Sequence, residues 1–133
     1  MRGLLTGFAG VALAIAVSGA ALADEGADLD KGKKVFARCQ ACHTLDEGGA
    51  NRIGPNLHGI FGRKAAALEG FSYSKAMAAK GAEGLVWNEE TLTQYLHKPA
   101  AMVPGTAMAF PGLRKDDEIA NLIAYLKVET GAQ

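Results

Sequence analysis

Apolar residues recur at helical spacing in four stretches of the chain, and no period holds between them. From Asp28 to Cys39, the pattern Leu29, Gly32, Val35, Phe36 predicts an amphipathic helix with Asp28 as its cap. Gly32 lowers helix propensity in the middle of that pattern, which is understandable if a second helix must approach closely there, opposite Tyr125. Ser72 to Ala79 suits a short helix. A clearer one starts after Asn88 and runs to about His97, with Leu92, Tyr95 and Leu96 on one face and Pro99 stopping it. The last is the best defined: Asp116 is its expected cap, Ile119, Leu122, Ile123 and Leu126 form the buried stripe, and Gly131 ends it. Between these lie a Gly-rich stretch from Asp46 to Gly62 containing Pro55, and the segment Pro99 to Gly112 with three prolines and two glycines. Both read as loops. No period-2 alternation appears, so the expected class is all-α: three to five short helices joined by long loops. Loops of that length in a small domain need something to pack against.

Length allows one small domain. The first 23 residues read differently from the rest. Arg2 is followed by an uncharged run from Gly3 to Ala23 ending in Ala21-Leu22-Ala23, after which Asp24 and Glu25 turn the chain acidic. That is the layout of a secretory signal peptide, with an uncleaved membrane helix as the alternative. Cleavage after Ala23 leaves a domain over residues 24–133. Its basic side chains fall from 14 by the one leader arginine, against 14 acidic ones, so the mature chain is slightly negative. A nucleic-acid binder or a polybasic membrane patch is excluded on charge. Export also implies an oxidising compartment, where two cysteines would ordinarily form a disulfide.

The residues around those cysteines argue otherwise. Cys39-Gln40-Ala41-Cys42-His43 has the C-x-x-C-H form of covalent haem attachment. On one helical turn, residues three apart share a face, so both thiols can reach the two vinyl groups along one haem edge. The adjacent His43 can then present its imidazole to the iron. A thioredoxin-like redox site needs a strand–helix–strand setting that is missing here. A structural zinc site needs four ligands, and a plain disulfide leaves His43 unexplained. A covalent haem c, with its iron, also supplies what the loops wrap. For a second iron ligand the candidates are Met77, Met102, Met108, His58 and His97. Met108 stands in Pro104-Gly105-Thr106-Ala107-Met108-Ala109-Phe110-Pro111, a segment stiff enough to run across a haem face, but spacing alone leaves the others open.

From Gly32 to Lys127 the chain resembles the soluble class I cytochrome c family, mitochondrial and bacterial. The resemblance is carried by residues 54–64 (GPNLHGIFGRK), Gly70-Phe71-Ser72-Tyr73, Glu89-Glu90-Thr91-Leu92, Pro104-Gly105-Thr106 and residues 122–127 (LIAYLK), in the family's order. It implies a cytochrome c fold and a one-electron carrier, not an enzyme. It further implies that His43 and Met108 are the axial ligands and that the Pro55 carbonyl accepts the free N–H of His43. Tyr95 and Thr106 would order the methionine side, Tyr73 and Trp87 would bond a propionate, and Arg63 would offset its charge.

The expected partners are redox proteins. A quinol–cytochrome c oxidoreductase or a dehydrogenase would be the donor, and an oxidase, reaction centre or reductase the acceptor, met by a monomer in the periplasm of a respiratory chain or a related pathway. The rival reading is a haem enzyme or sensor with an open iron site, which would need a distal acid–base residue; His58 and His97 are the only histidines available for it. Met77 stands where the family often has asparagine. Ala100, Ala101 and Ala107 stand where the mitochondrial form has lysines near the exposed haem edge, leaving Arg38, Arg52, Arg114 and Lys115 there.

Overall fold

The computed structural model describes Gly3 and residues 26–132; the expected leader, Gly3 aside, lies outside the described residues. Among the described residues five helices follow in order: α1 Leu29–Phe36, α2 Lys75–Ala82, α3 Glu89–His97, α4 Pro99–Met102 and α5 Asp116–Glu129. Among the described residues the only extended pairing is a single antiparallel bridge between Lys64 and Val86, so the all-α expectation holds. No helix among them is long and apolar enough to cross a membrane.

The frame is the crossing of the two terminal helices, α1 and α5, which make the most extensive helix–helix contact in the fold. Gly32 is buried at the crossing; a β-carbon there would run into the Asn121 carbonyl oxygen and come within 2.7 Å of Tyr125 Cβ. The absent side chain is thus what lets the two backbones meet. Phe36 and Tyr125 pack beside it as a tilted pair with ring centres 5.9 Å apart. The buried Asn121 is not an anomaly on an apolar stripe, because its Oδ1 accepts the backbone N–H of Asp28 at 2.8 Å and ties the start of α1 to the middle of α5. Glu89 at the start of α3 pairs with Lys127 near the end of α5, joining the third helix to the frame.

Local signals explain most helix ends. Asp28 caps α1 by accepting from Lys31 N at 3.0 Å, Ser74 caps α2 through Met77 N, and Asn88 with Thr91 forms a reciprocal capping box on α3. Past the end of α5, Gly131 takes a left-handed conformation, and Ala132 N returns to Lys127 O at 3.0 Å.

Several boundaries differ from those read in the sequence. Asp116 is not the cap of α5: Lys115 holds that position without a side-chain bond, and the Asp116 carboxylate lies in the first turn, paired with His97 Nε2 at 3.1 Å. There an acidic group suits the helix dipole and a neighbouring helix end at once. The first helix stops at Phe36 rather than continuing to Cys39, α2 starts three residues later than Ser72, and the segment after Pro99 contains the short α4, with Pro99 at its first position.

The core gathers Val35 and Phe36 from α1, Leu92, Tyr95 and Leu96 from α3, Ile119, Leu122, Ile123 and Leu126 from α5, and Leu45, Ile60, Trp87, Val103 and Leu113 from the loops. It does not close. A cavity remains between the helix frame and the loops.

Candidate functional site

The chain after α1 makes one further turn before entering the first long loop. His43 N and Cys42 N both bond to Cys39 O, at 2.9 and 3.0 Å, so Cys39 and Cys42 fall on one side of a single helical turn with His43 next to them. Both cysteines are free, half-buried and on the cavity wall. Burial raises the Cys39 pKa, against a smaller lowering by Arg38. The cavity measures about 370 Å³.

His43 is held from behind. Its Nδ1 lies 2.7 Å from the Pro55 carbonyl, which can only accept, so Nδ1 carries the proton and Nε2 keeps its lone pair. Burial lowers the His43 pKa, the Pro55 bond opposes this only in part, and the ring is neutral near neutral pH. Gly54 leaves room for it: a β-carbon there would enter the imidazole, within 2.7 Å of Nδ1 and Nε2. Beneath the turn, buried Asn56 braces the loop by donating to Thr44 Oγ1 at 2.8 Å and Asp46 O at 2.9 Å, while its own N–H is taken by Asn51 Oδ1. The result is a neutral imidazole with an available nitrogen, fixed in rotation by backbone on one edge.

The loop from Val103 to Leu113 contributes Thr106, Ala107, Met108, Ala109 and Phe110 to the same cavity. It is pinned at its C-terminal end. Leu113 N bonds to Leu96 O at 2.8 Å, and Gly112 lies so close to the His97 carbonyl that a side chain there would collide with it. In its middle, Thr106 Oγ1 meets Tyr95 Oη at 2.9 Å and accepts the Met108 N–H at 3.3 Å. Burial raises the Tyr95 pKa, and the Thr106 bond offsets part of that. The phenol therefore stays protonated and Thr106 is fixed beside Met108.

Five side chains were candidates for a second iron ligand. His58, His97 and Met102 are not on the cavity wall; His58 Nδ1 faces Leu45 O at 3.2 Å, and His97 is paired with Asp116. Met108 and Met77 are on it. Of the residues expected around a propionate, Tyr73 and Trp87 line the cavity, with Tyr73 Oη accepting from Leu68 N at 3.3 Å. Arg63 does not line it: the guanidinium donates to the carbonyls of Asn56, at 3.1 Å, and His58. Its charge sits behind the loop.

Neither Ile53 nor Phe110, both on the wall, was singled out in the sequence, although Leu57, Ile60 and Phe71 fell within the family-like segments. Their only signal was apolar side chains placed singly in Gly- and Pro-rich loops. That is the pattern of loops packing on a cofactor rather than on each other.

The wall fits a flat, largely apolar group bearing two attachment points for thiols. The leucines, isoleucines, phenylalanines and methionines form its faces, and polar atoms are confined to a few hydrogen-bonded side chains. Comparison with known proteins agrees. Residues 29–128 match the family model described as cytochrome c. The chain belongs to the cytochrome c family. It is 52% identical over 104 residues to cytochrome c of Stellaria longipes, covering 77% of this chain and 94% of that protein. It is 50% identical over 96 residues to cytochrome c2 of Afifella marina, covering 72% and 77%. Cytochrome c2 of Agrobacterium tumefaciens (strain II Chrys) is 46% identical over 99 residues, covering 74% and 89%. As a member of this family the chain binds haem c covalently through Cys39 and Cys42 and carries electrons; it is not an enzyme.

Proposed function

We propose that the chain is a periplasmic one-electron shuttle in which His43 and Met108 are the axial ligands of the haem iron. The observation that carries this reading is their common placement. His43, with its prepared nitrogen, and Met108 both line one cavity, which Cys39 and Cys42 also line. Met77 shares the wall but sits on α2; the loop bearing Met108 is the segment fastened by Tyr95, Thr106, Leu96 and His97, and the family resemblance favours it.

Haem with His/Met ligation supplies reversible one-electron chemistry at a raised potential. The chain's own residues do the remainder. Pro55 and Gly54 hold the tautomer and the rotation of His43, and the partner bond on Nδ1 strengthens Nε2 as a donor. Thr106 and Tyr95 hold the backbone beside Met108. The apolar walls keep water away, which disfavours the extra charge of the oxidised state. Tyr73 and Trp87, both on the wall, provide an O–H and an indole N–H for a propionate. The Arg63 charge, turned to the Asn56 and His58 carbonyls, acts at longer range.

In the same reading residues 1–23 are a cleaved export signal and residues 24–133 the mature, monomeric domain. The donor is a quinol–cytochrome c oxidoreductase or a dehydrogenase; the acceptor is an oxidase, reaction centre or reductase. Two of the relatives above are named cytochrome c2 and come from bacteria, which favours export to the periplasm. The test is direct. The purified protein, expressed with its leader, should begin at Asp24, keep its haem through acid–acetone extraction, and show low-spin spectra with an iron–sulfur band that cyanide does not readily displace. Extractable haem, or rapid cyanide binding by untreated protein, contradicts the reading.

A further inference from the structure

Residues 98–115, the stretch that carries Met108, leave the end of α3 and return to it before α5 begins. Three contacts close the neck of that stretch. Two involve backbone: Leu113 N donates to Leu96 O, and Gly112 lies against the His97 carbonyl. Neither carries a group that titrates. The third is the pair between His97 Nε2, on the last residue of α3, and Asp116 Oδ1, on the first residue of α5, 3.1 Å apart.

The charges at this neck are arranged around the imidazole. His97 stands in the last turn of α3, where free carbonyls favour a cation, and Asp116 in the first turn of α5, where free N–H groups favour an anion. The same turn of α5 holds Asp117 and Glu118, and Glu118 is taken by Arg38. Lys98 follows His97 in the chain, Arg114 and Lys115 precede Asp116, and α4 has no charged side chain. The acids of α3, Glu89 and Glu90, are at its other end, where Glu89 pairs with Lys127. Among these residue types only histidine ordinarily changes charge between pH 5 and 8. His97 and Asp116 therefore form an ion pair on the acid side of that range, and a carboxylate faces a neutral ring on the alkaline side.

We propose that His97 and Asp116 are positioning residues for the methionine side of the haem: joined, they latch the neck of the segment bearing Met108, and the latch slackens as His97 gives up its proton. This rests on the reading of Met108 as an axial ligand. The sign follows from the charges. The ion pair's contribution is present while the ring is protonated and is lost as pH rises, so the segment opens more readily at pH 8 than at pH 5. Solvent bounds the size. Asp116 is 92% exposed and His97 41%, and a pair so placed changes an equilibrium by about twofold to fivefold, less as salt screens it.

Two readings on the haem-loaded protein test this. The limiting rate of cyanide binding to ferric iron, at saturating cyanide, reports how often the Met108 segment opens. Protection of the Leu113 N–H from hydrogen exchange, corrected for the intrinsic rate at each pH, reports on the neck and involves no iron ligand. From pH 5 to pH 8 at low salt, the wild-type limiting rate should rise and Leu113 protection should fall, each by about twofold to fivefold. High salt should flatten both profiles. His97→Gln and Asp116→Asn should each show the alkaline values at every pH. His97→Lys keeps a cation at the neck and should hold the acid values up to pH 8. His58→Gln changes a histidine outside the neck and should retain the wild-type profile.

A flat wild-type profile at low salt overturns the latch, and so does one that persists in His97→Gln or disappears in His58→Gln. Equal values for His97→Lys and His97→Gln at pH 8 overturn the role of charge. Leu113 protection that follows pH while the cyanide rate does not overturns the link to Met108. A wild-type cyanide rate that never saturates counts against Met108 as the ligand, and Leu113 protection then decides the latch by itself.

Discussion

A histidine adjacent to two cysteines becomes an iron ligand only if one nitrogen is free, unprotonated and aimed. Pro55 and Gly54 meet those conditions with backbone alone, one by accepting the Nδ1 proton and the other by lacking a side chain. Gly54→Ala should therefore act on the iron without touching it. The new methyl displaces the imidazole, and a high-spin fraction should appear in the ferric spectrum together with a lowered potential; an unchanged spectrum would show that the ring accommodates the methyl. If Met108 is the second ligand as proposed, Met108→Ala should abolish the ferric iron–sulfur band, lower the potential and open the iron to cyanide, while Met102→Ala, off the cavity wall, should leave all three. If Met77→Ala removed the band instead, the ligand would have been assigned to the wrong wall. Thr106 is the residue through which Tyr95 holds that methionine in place. Thr106→Val leaves the Tyr95 hydroxyl without its partner, and an unsatisfied buried hydroxyl costs about 1–3 kcal/mol. The loss should appear both in chemical denaturation and as easier displacement of Met108 by cyanide or imidazole, since one bond serves both. At this scale the sequence was legible where a residue type has one purpose, as in the C-x-x-C-H run. It was not legible where the purpose depends on a partner far along the chain. Arg63 shows the limit: nothing in the sequence announces that the carbonyls of Asn56 and His58 take its guanidinium.

Among the elements, the crossing of α1 and α5 decides the shape of the site, because it fixes the turn bearing Cys39, Cys42 and His43 against the leucines of the last helix. Gly32 is its tightest point. Gly32→Val should cost about 1–3 kcal/mol, since the obstacle is the Asn121 backbone, which cannot rotate away as a side chain would. For a domain of this size that is a fall in thermal midpoint of about 4–8 °C per kcal/mol. A midpoint equal to wild type would show that the helices slide apart without penalty. The periodic stripes made α1, α3 and α5 readable, and Asp28, Asn88 and Gly131 each marked an end of one of them because a cap needs only neighbours in sequence. Asp116 misled for a related reason. A carboxylate near a helix start fits the cap and the first turn equally well, and only the position of His97, 19 residues earlier in sequence, selects between them. The short α4 was hidden by the prolines around it, one of which in fact begins it. Loops stayed opaque because Leu45, Val103 and Leu113 are buried singly, without any period to announce them.

Over the whole molecule, helices of 4 to 14 residues surround a cavity of about 370 Å³, and this proportion sets how the chain folds. Isolated helices shorter than about 12–15 residues are marginal in water, so four of the five depend on tertiary packing for their existence. The packing available to them runs largely through side chains that face the cavity: Phe36, Leu92, Tyr95, Leu96, Leu122 and Leu126 are at once core residues and cavity wall. Without the haem these side chains would face a void too large to stay open or water they cannot bond, and either outcome removes the burial that stabilises the helices. The α1–α5 crossing keeps contacts of its own through Gly32, Tyr125 and Asn121, whereas Ile53, Leu57, Phe71 and Phe110 of the loops face the cavity. Replacing both cysteines, Cys39→Ser with Cys42→Ser, and isolating the chain free of haem should therefore give a protein with most of its helical circular dichroism gone at 25 °C. Any remaining helix should be confined to the two terminal segments, with no fixed aromatic signal from Trp87 and no cooperative thermal transition. Adding free haem should restore part of the helix signal, because His43 and the apolar walls can still hold it without thioethers. A haem-free chain that melted cooperatively with native near-ultraviolet dichroism would mean the polypeptide closes its own core, and that the cavity is a binding pocket in a finished fold rather than the place where the fold is completed.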